Sequence, residues 1–341
     1  MLVSLIVISI SGYHDKSTKQ FKKFDQLPEH RDTLIEDLKL NETLQSRAKN
    51  RSNRYYLNDF EYFRMIREEF PHTESAAKLG CLSGSEPLLP TKLDPKDVLF
   101  IIMGSVKYIH KAKLLTETWL KWSQGNFFIF ADAADASIPL ITLPKLENKP
   151  SRDDAQHRQI VGSQWLISNK SKLIKYVKWF VLADDDTWIN VPALLSYLQL
   201  FDHRLLLSIG YIWDDIWVPG WSYFSGGGGV VFSQAAFIST MPAIYTKECP
   251  FRSWNDVTFM YCQKQKRVTK IHSDRFFYDK AHIVGGIHHL MPISYVGKVT
   301  LHYVNNAAIA RRMTCDAAVY WKWPIKECDD VKRDGMPHLR L

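Results

Sequence analysis

The chain lacks any uninterrupted apolar stretch of the ~20 residues that a membrane-spanning helix requires. Its N-terminal run, inside "MLVSLIVISISGYHDK", extends over only about half that length. Such a run fits the apolar core of a signal peptide without its usual basic flank, the remnant of a signal-anchor, or a short buried strand. Lysine-rich polar sequence follows at once and favours the secretory readings, so residues 1–13 are expected to be a signal peptide or anchor remnant, with membrane association through that segment. No C-x-x-C pair occurs, which argues against a structural zinc site. The G-x-G-x-x-G spacing and the P-loop lysine are both missing, which argues against a dinucleotide loop or P-loop. D-x-D-x-T phosphatase chemistry fails as well, because the fifth position counted from Asp184 is Trp188. No nucleic-acid-binding module, internal repeat or long low-complexity segment is found. The net charge of +8, from 44 basic and 36 acidic residues, is spread along the chain. It suits a small anionic ligand or plain solubility and gives no reason to expect nucleic acid.

Five cysteines are present: Cys81, Cys249, Cys262, Cys315 and Cys328. In an oxidising lumen two disulfides and one thiol would be natural, and proximity pairs Cys249 with Cys262 and Cys315 with Cys328. Asn41, Asn50 and Asn169 head glycosylation sequons, which agrees with that compartment.

Residues 14–94 are expected to be a stem or accessory helical region, since "RDTLIEDLKL" and "NDFEYFRMIREEF" carry apolar residues at helical spacing and a Pro/Gly/Ser linker follows. Beyond it the pattern changes. "DVLFIIMG", "NFFIFAD" and "YVKWFVLADDD" read as buried parallel strands, and "HKAKLLTETWLKW" and "DAQHRQIVGSQWLISN" as the helices between them. That alternation predicts an α/β sheet of nucleotide-binding type, with ligands outside the carboxyl ends of its strands. Asp132 and Asp184–Asp186 stand at such ends.

Three adjacent carboxylates repel one another. Asp184 and Asp186 would share a face and form half a site for an oxygen-loving divalent cation that completes its shell with phosphate. A solvated loop, with Asp186 or Thr187 capping the next helix, is the other reading. In "WSYFSGGGGVVFSQAAF" the glycines Gly226–Gly229 permit close approach to a ligand or simply form a turn. The neighbouring Trp221, Tyr223 and Phe224 serve either as sugar platforms or as core. Asp256, in "RSWNDVTFMYC", is an N-cap, a general base, or both.

Taken in order, these segments resemble the Fringe-like branch of the β-1,3-glycosyltransferases (family 31). "DVLFIIMGSVKYIHKAKLLTETWLKW…NFFIFAD" is similar to the family's first strand–helix–strand, "WFVLADDDTWINVPALL" to its Asp-Asp-Asp segment, and "GGGGVVFSQAAF" with "WNDVTFMYC" to its glycine loop and catalytic-Asp segment. "GIHHLMPISY" resembles a segment of the protein O-fucose β-1,3-glucosyltransferase branch, while "ADDDTW" and "WNDV" also suit the core 1 β-1,3-galactosyltransferase branch. The resemblance implies a GT-A fold over residues 95–310, with a Rossmann-like half for a UDP-sugar, an acceptor-binding half and a tail at 311–341. It implies an inverting, hexose-transferring enzyme of the Golgi or endoplasmic reticulum lumen, of type II topology or secreted after cleavage. Its cofactor would be Mn²⁺, or Mg²⁺, and its acceptor a glycan or glycoprotein.

Carried over by position, Asp186 would ligate the metal, supported by Asp184 and Asp185. Asp132, Lys107, Lys111, Gly226, Gly227 and Gly228 would contact the nucleotide sugar, and Asp256 would be the base. Trp221, Tyr223 and His289 would face the acceptor. The family also places a metal-ligating histidine downstream of the base. Aligned by eye, Phe277 or Tyr278 falls in that slot, and His272 and His282 lie out of register. Either one of these histidines substitutes, or metal binding is weakened or lost, which would suit an inactive carbohydrate-binding relative.

Overall fold

The computed structural model describes residues 56–69, 93–143, 151–214, 222–280, 295–323 and 328. Expectations placed on residues 1–13, Asn41, Asn50, Cys81, Trp221, His282 and His289 lie outside the described residues. Along the chain run β1 (Leu57–Asn58), α1 (Asp59–Glu69), β2 (Val98–Met103), α2 (Ile109–Glu117), β3 (Phe127–Ala131), β4 (Ile141–Thr142), α3 (Ser151–Asn169), α4 (Ser171–Tyr176), β5 (Trp179–Ala183), β6 (Trp188–Ile189) and α5 (Val191–Leu198). There follow β7 (Leu207–Gly210), β8 (Ile212–Asp214), β9 (Ser222–Phe224), β10 (Val230–Ser233), α6 (Gln234–Thr240), α7 (Asn255–Gln265), β11 (Thr269–His272), β12 (Phe276–Lys280), β13 (Thr300–His302) and α8 (Ala307–Tyr320).

An eight-stranded sheet, in the order β1-β11-β7-β10-β5-β2-β3-β4, forms the centre. All its pairings are parallel except those of β10, which runs antiparallel to both β5 and β7. The unbroken apolar reading of β2 and β5 follows from burial on both faces. Val98, Phe100 and Ile102 join one core with Trp119 and Trp179, whereas Leu99 and Ile101 join a second with Phe180, Ile160 on α3 and Phe237 on α6. The Phe180 and Phe237 rings stack in that second core at 3.9 Å.

The expected strand–helix alternation from β2 to β5 is present, with one change. "HKAKLLTETWLKW" is not a single helix. Thr118 Oγ1 donates to the Leu114 carbonyl at 2.7 Å, the backbone leaves the helical region, and Trp119–Ser123 continue as a separate 3₁₀ turn. This turn drives Trp119 and Trp122 into the core.

Both ends of the expected domain move outwards. Leu57 and Asn58, expected in a stem, pair with Ile271 and His272 and extend the main sheet. Asn58 and Glu61 cap the start of α1 reciprocally, Glu61 N–H donating to Asn58 Oδ1 at 2.8 Å and Asn58 N–H to Glu61 Oε2 at 3.1 Å. α1 then buries Tyr62, Met65 and Ile66 in the first core. The expected boundary at 311 falls inside α8, whose Met313, Ala317 and Ala318 pack in that same core.

Cys315 and Cys328 form a disulfide, as proximity suggested. Cys249 and Cys262 do not. They are free thiols within the second core. Burial pushes both thiols above their ordinary pKa, so the thiolate that exchange chemistry requires is disfavoured. Among the described residues no helix is long and apolar enough to cross a membrane.

The packing of α1 yields a direct test. Ile66→Ala should lower unfolding stability by about 2–5 kcal/mol, read from the denaturant midpoint, because Ile66 is a fully buried core residue. A stem helix outside the domain would leave the midpoint unmoved.

Candidate active site

β5 ends at Ala183 and the chain turns through Asp184–Asp186, closed by Thr187 N–H donating to the Asp184 carbonyl at 3.3 Å. The short β6 that follows immediately is the point on which the site depends. β13 pairs with it antiparallel, Leu301 against Trp188 and Thr300 against Ile189, and Val304 N–H donates to the Asp186 carbonyl at 2.9 Å. This register sets His302 beside the acidic turn. His302 Nε2 lies 3.3 Å from Asp186 Oδ1 and 3.8 Å from Asp184 Oδ2. Its Nδ1 is 3.0 Å from the Tyr278 carbonyl, which can only accept, so that nitrogen carries the proton and Nε2 is left for the carboxylates or a metal.

Lys111, from α2, completes the cluster, with Nζ 2.9 Å from Asp186 Oδ2 and 3.9 Å from Asp185 Oδ1. Burial raises the Asp186 carboxyl, but the bonds and charges of His302 and Lys111 outweigh it and hold the group below its usual range. Burial also opposes the charge on His302, yet Asp186 and Asp184 raise its pKa. Asp185 bears the strain of the like charges. Burial first, then the Asp186 charge, push it up to about 8 against the pull of Lys111. The Asp186 and Thr187 capping reading does not hold, since Asn190 caps α5, its Oδ1 accepting from Ala193 N–H at 3.3 Å.

Gly226–Gly229 thread between this cluster and Asp256. Thr187 Oγ1 donates to the Gly227 carbonyl at 2.9 Å and Thr300 Oγ1 to the Gly228 carbonyl at 2.5 Å. A Cβ at Gly227 would stand 1.9 Å from the His302 ring, so no other residue fits there without moving the imidazole. Gly226 N–H donates to Asp256 Oδ2 at 3.2 Å. Asp256 is the second residue of α7 and not its N-cap, a position held by Trp254. Its Oδ1 accepts from Val257 N–H at 2.8 Å.

Asp184, His302, Gly226, Asp256, Trp213 and Tyr278 are among the residues that line a cleft of about 500 Å³. A family model described as Fringe-like matches residues 93–315. The chain belongs to the Fringe-like family. It is 29% identical over 157 residues to the beta-1,3-N-acetylglucosaminyltransferase lunatic fringe of Mus musculus, a match covering 44% of this chain and 40% of that protein. It is 23% identical over 254 residues to a Homo sapiens beta-1,3-glucosyltransferase, covering 72% of this chain and 46% of that protein. With the radical fringe enzyme of Xenopus laevis it shares 28% over 130 residues, 37% of each chain. The chain thus spans less than half the length of these curated relatives.

The remaining candidate residues of this Fringe-like chain fall in several places. Asp132, at the end of β3, accepts from Val106 N–H at 2.7 Å, with the Arg158 guanidinium at 3.9 Å. Burial raises its carboxyl, but the backbone bond and Arg158 prevail and lower it. Lys107 is exposed, its ammonium 5.3 Å from the centre of the Tyr108 ring. Tyr223 lines the cleft, and burial together with the Asp256 charge pushes its phenol up to about 12.

His272 stands elsewhere and is replaced at the acidic turn by His302. β11 lies three places along the sheet from β5, and His272 Nδ1 accepts from Ile212 N–H at 3.0 Å while Nε2 faces Asp274 at 3.2 Å. Both nitrogens are thus engaged away from the cluster. His302 is the residue that the sequence reading missed. It ends the short apolar strand "VTLH", beyond the stretch searched for the family's ligand.

Two tests follow from this geometry. Gly227→Ala should shift the His302 imidazole resonances in histidine-selective NMR while the circular dichroism stays native. Asp185 governs a pH slope. Its folded pKa of about 8 lies above the ordinary 3.8, so the folded chain holds the extra proton between those values. In chelator-treated protein this contribution is full below pH 4 and is lost as pH rises to 8. Asp185→Asn should therefore flatten the fall in thermal stability over that window, by on the order of 2–5 kcal/mol at its upper end.

Proposed function

We propose that this chain is an inverting glycosyltransferase that moves a hexose from a UDP-sugar to a hydroxyl of a glycan or glycoprotein, forming a β-1,3 linkage. The observation that carries the reading is that one cleft is lined by Asp184, His302 and Asp256, with Asp186 clustered against Asp184 and His302. Membership of the Fringe-like family and the printed activities of its relatives support the reaction class.

The residues present fit a divalent cation. Two carboxylate oxygens and one imidazole nitrogen lie within 4.8 Å of one another, a hard donor set suited to Mn²⁺ or Mg²⁺. Asp184, Asp186 and His302 would hold the ion, which when bound supplies charge neutralisation to a diphosphate leaving group. Lys111 adds a fixed positive charge on the same side, and exposed Lys107 adds to the potential at the carboxyl end of β2. We place the nucleoside over the ends of β2 and β3, beside Asp132.

In the same cleft Asp256 takes the proton of the acceptor hydroxyl as the hydroxyl oxygen bonds to the anomeric carbon. A single displacement with UDP departing from the far face inverts that centre. The bonds from Gly226 and Val257 fix both carboxylate oxygens in place before the acceptor arrives. Tyr223 lines the same cleft and would face the acceptor. The finer fold assignment, a GT-A arrangement, and residence in the lumen of the secretory pathway belong to this proposal. The case for an inactive carbohydrate-binding relative rested on a missing histidine, and His302 beside the acidic turn weighs against it.

The test is transfer and donor hydrolysis with a panel of UDP-sugars, with and without Mn²⁺. Asp256→Asn should lower transfer by about 10²–10⁴-fold and leave UDP affinity by calorimetry close to wild type. His302→Ala should weaken Mn²⁺ binding by more than about tenfold, since losses in an outer shell alone cost that much. Full transfer by Asp256→Asn, or no turnover of any donor by the wild type, would reject the reading.

A further inference from the structure

Between the acidic turn and Asp256 lie three side-chain amides to which the chemistry above gives no role. Gln156 and Gln159 are neighbours on α3, and Asn255 opens α7; all three are buried. Their hydrogen bonds run in one line. Gln159 Nε2–H donates to the Ala183 carbonyl at 3.2 Å, the last residue of β5 before Asp184. Asn255 Nδ2–H donates to Gln159 Oε1 at 2.6 Å, and Asp256 N–H donates to Asn255 Oδ1 at 2.9 Å. Gln156 Oε1 accepts from Asn255 N–H at 2.9 Å and holds the same residue by its backbone.

The direction of this line is forced. The Ala183 carbonyl can only accept, so Gln159 must turn its nitrogen toward it and its oxygen toward Asn255. Asn255 must then present its own nitrogen, which leaves its oxygen for the Asp256 N–H. Each amide thus donates at one end and accepts at the other, so the bonds polarise in one sense and reinforce one another. The bond to Asp256 is also not helical in origin. Asp256 lies in the first turn of α7, where a backbone N–H has no carbonyl one turn earlier to accept it.

We propose that Gln159 and Asn255 are positioning residues that fix the base Asp256 at a set distance from the Asp184–Asp186 turn, with helix α3 as the rigid spacer. The reaction needs this, because the acceptor hydroxyl and the departing diphosphate must lie on opposite faces of one carbon. A shift of about 1 Å between Asp256 and that turn costs on the order of a hundredfold in rate. Gln159 is not among the residues that line the cleft; Asn255 lines it, but its side-chain amide is engaged by Gln159 and by the Asp256 N–H. The functional half of the inference rests on the reading under Proposed function; the relay itself does not.

The experiment uses the full chain with Gln159→Met, which keeps the volume and removes both amide ends. Amide exchange at the Asp256 N–H, followed by NMR, should accelerate at least about tenfold as Asn255 loses its anchor. The kcat for transfer should fall about tenfold to a hundredfold, with the donor KM and the calorimetric UDP affinity within about twofold of wild type. Gln159→Glu, which still accepts from Asn255 but repels the Ala183 carbonyl, should lie between the two, and it carries the test if Gln159→Met does not fold. Unchanged exchange at Asp256 overturns the relay whether or not the enzyme turns over. Accelerated exchange with unchanged kcat, or a rise in KM alone, overturns the positioning role. A wild type with no turnover, combined with accelerated exchange in the variant, rejects the proposed function and leaves the relay standing.

Discussion

Three carboxylates at the end of a buried strand are electrostatically unfavourable, and the site is organised around relieving that cost. Two basic side chains reach the turn from distant parts of the chain, the Lys111 ammonium from α2 and the His302 imidazole from β13. Both approach Asp186, which is the carboxylate held in its charged form, and neither gives Asp185 comparable relief. The cluster is therefore divided into a compensated member and one that carries a proton near neutrality. A divalent cation, as proposed above, would bring enough charge to compensate the group as a whole.

The placement of His302 is a matter of sheet register. β6 is two residues long, yet it begins directly after Thr187 and fixes where β13 can pair. A slip of one residue would turn His302 to the opposite face, because side chains alternate along a strand. The loop from Gly226 to Gly229 then closes over the imidazole. It is tied by two threonine hydroxyls, one from each side of the β6–β13 pairing, so the glycine block is a consequence of the same register.

The parts of the fold that could be read from the sequence are those whose signal is local. β2 and β5 announce themselves as apolar runs because both faces are covered, and the strand-end aspartates follow from them. Membership of the Fringe-like family was legible from three ordered segments for the same reason. The stretches that failed depend on long-range partners. α1 looks like a stem helix until Leu57 pairs with Ile271, and α8 looks like a tail until its small residues pack on the first core. His302 stands more than a hundred positions beyond Asp186, so nothing near it in sequence marks it as a partner of the acidic turn. His272 lies closer to Asp256 in sequence, yet β11 carries it toward the other end of the sheet.

Site geometry in this molecule depends on two independent supports meeting at one cleft. The acidic turn and His302 are fixed by strand pairing, which is stiff. Asp256 is carried by the first turn of a helix, where backbone bonds are fewest and the chain frays most easily. A carboxylate held only by that turn would move relative to the acidic cluster. Two further contacts restrain Asp256: the Gly226 N–H on its carboxylate, and the amide line through Asn255 and Gln159 to the end of β5. The first of these ties Asp256 to the glycine loop, and so to the β6–β13 register. The last ties it to the strand that bears the acidic turn. Asp256 and the acidic turn are thereby referred to the same strand end, so their separation across a sheet-and-helix boundary is set by buried hydrogen bonds of fixed direction and not by the fraying end of α7.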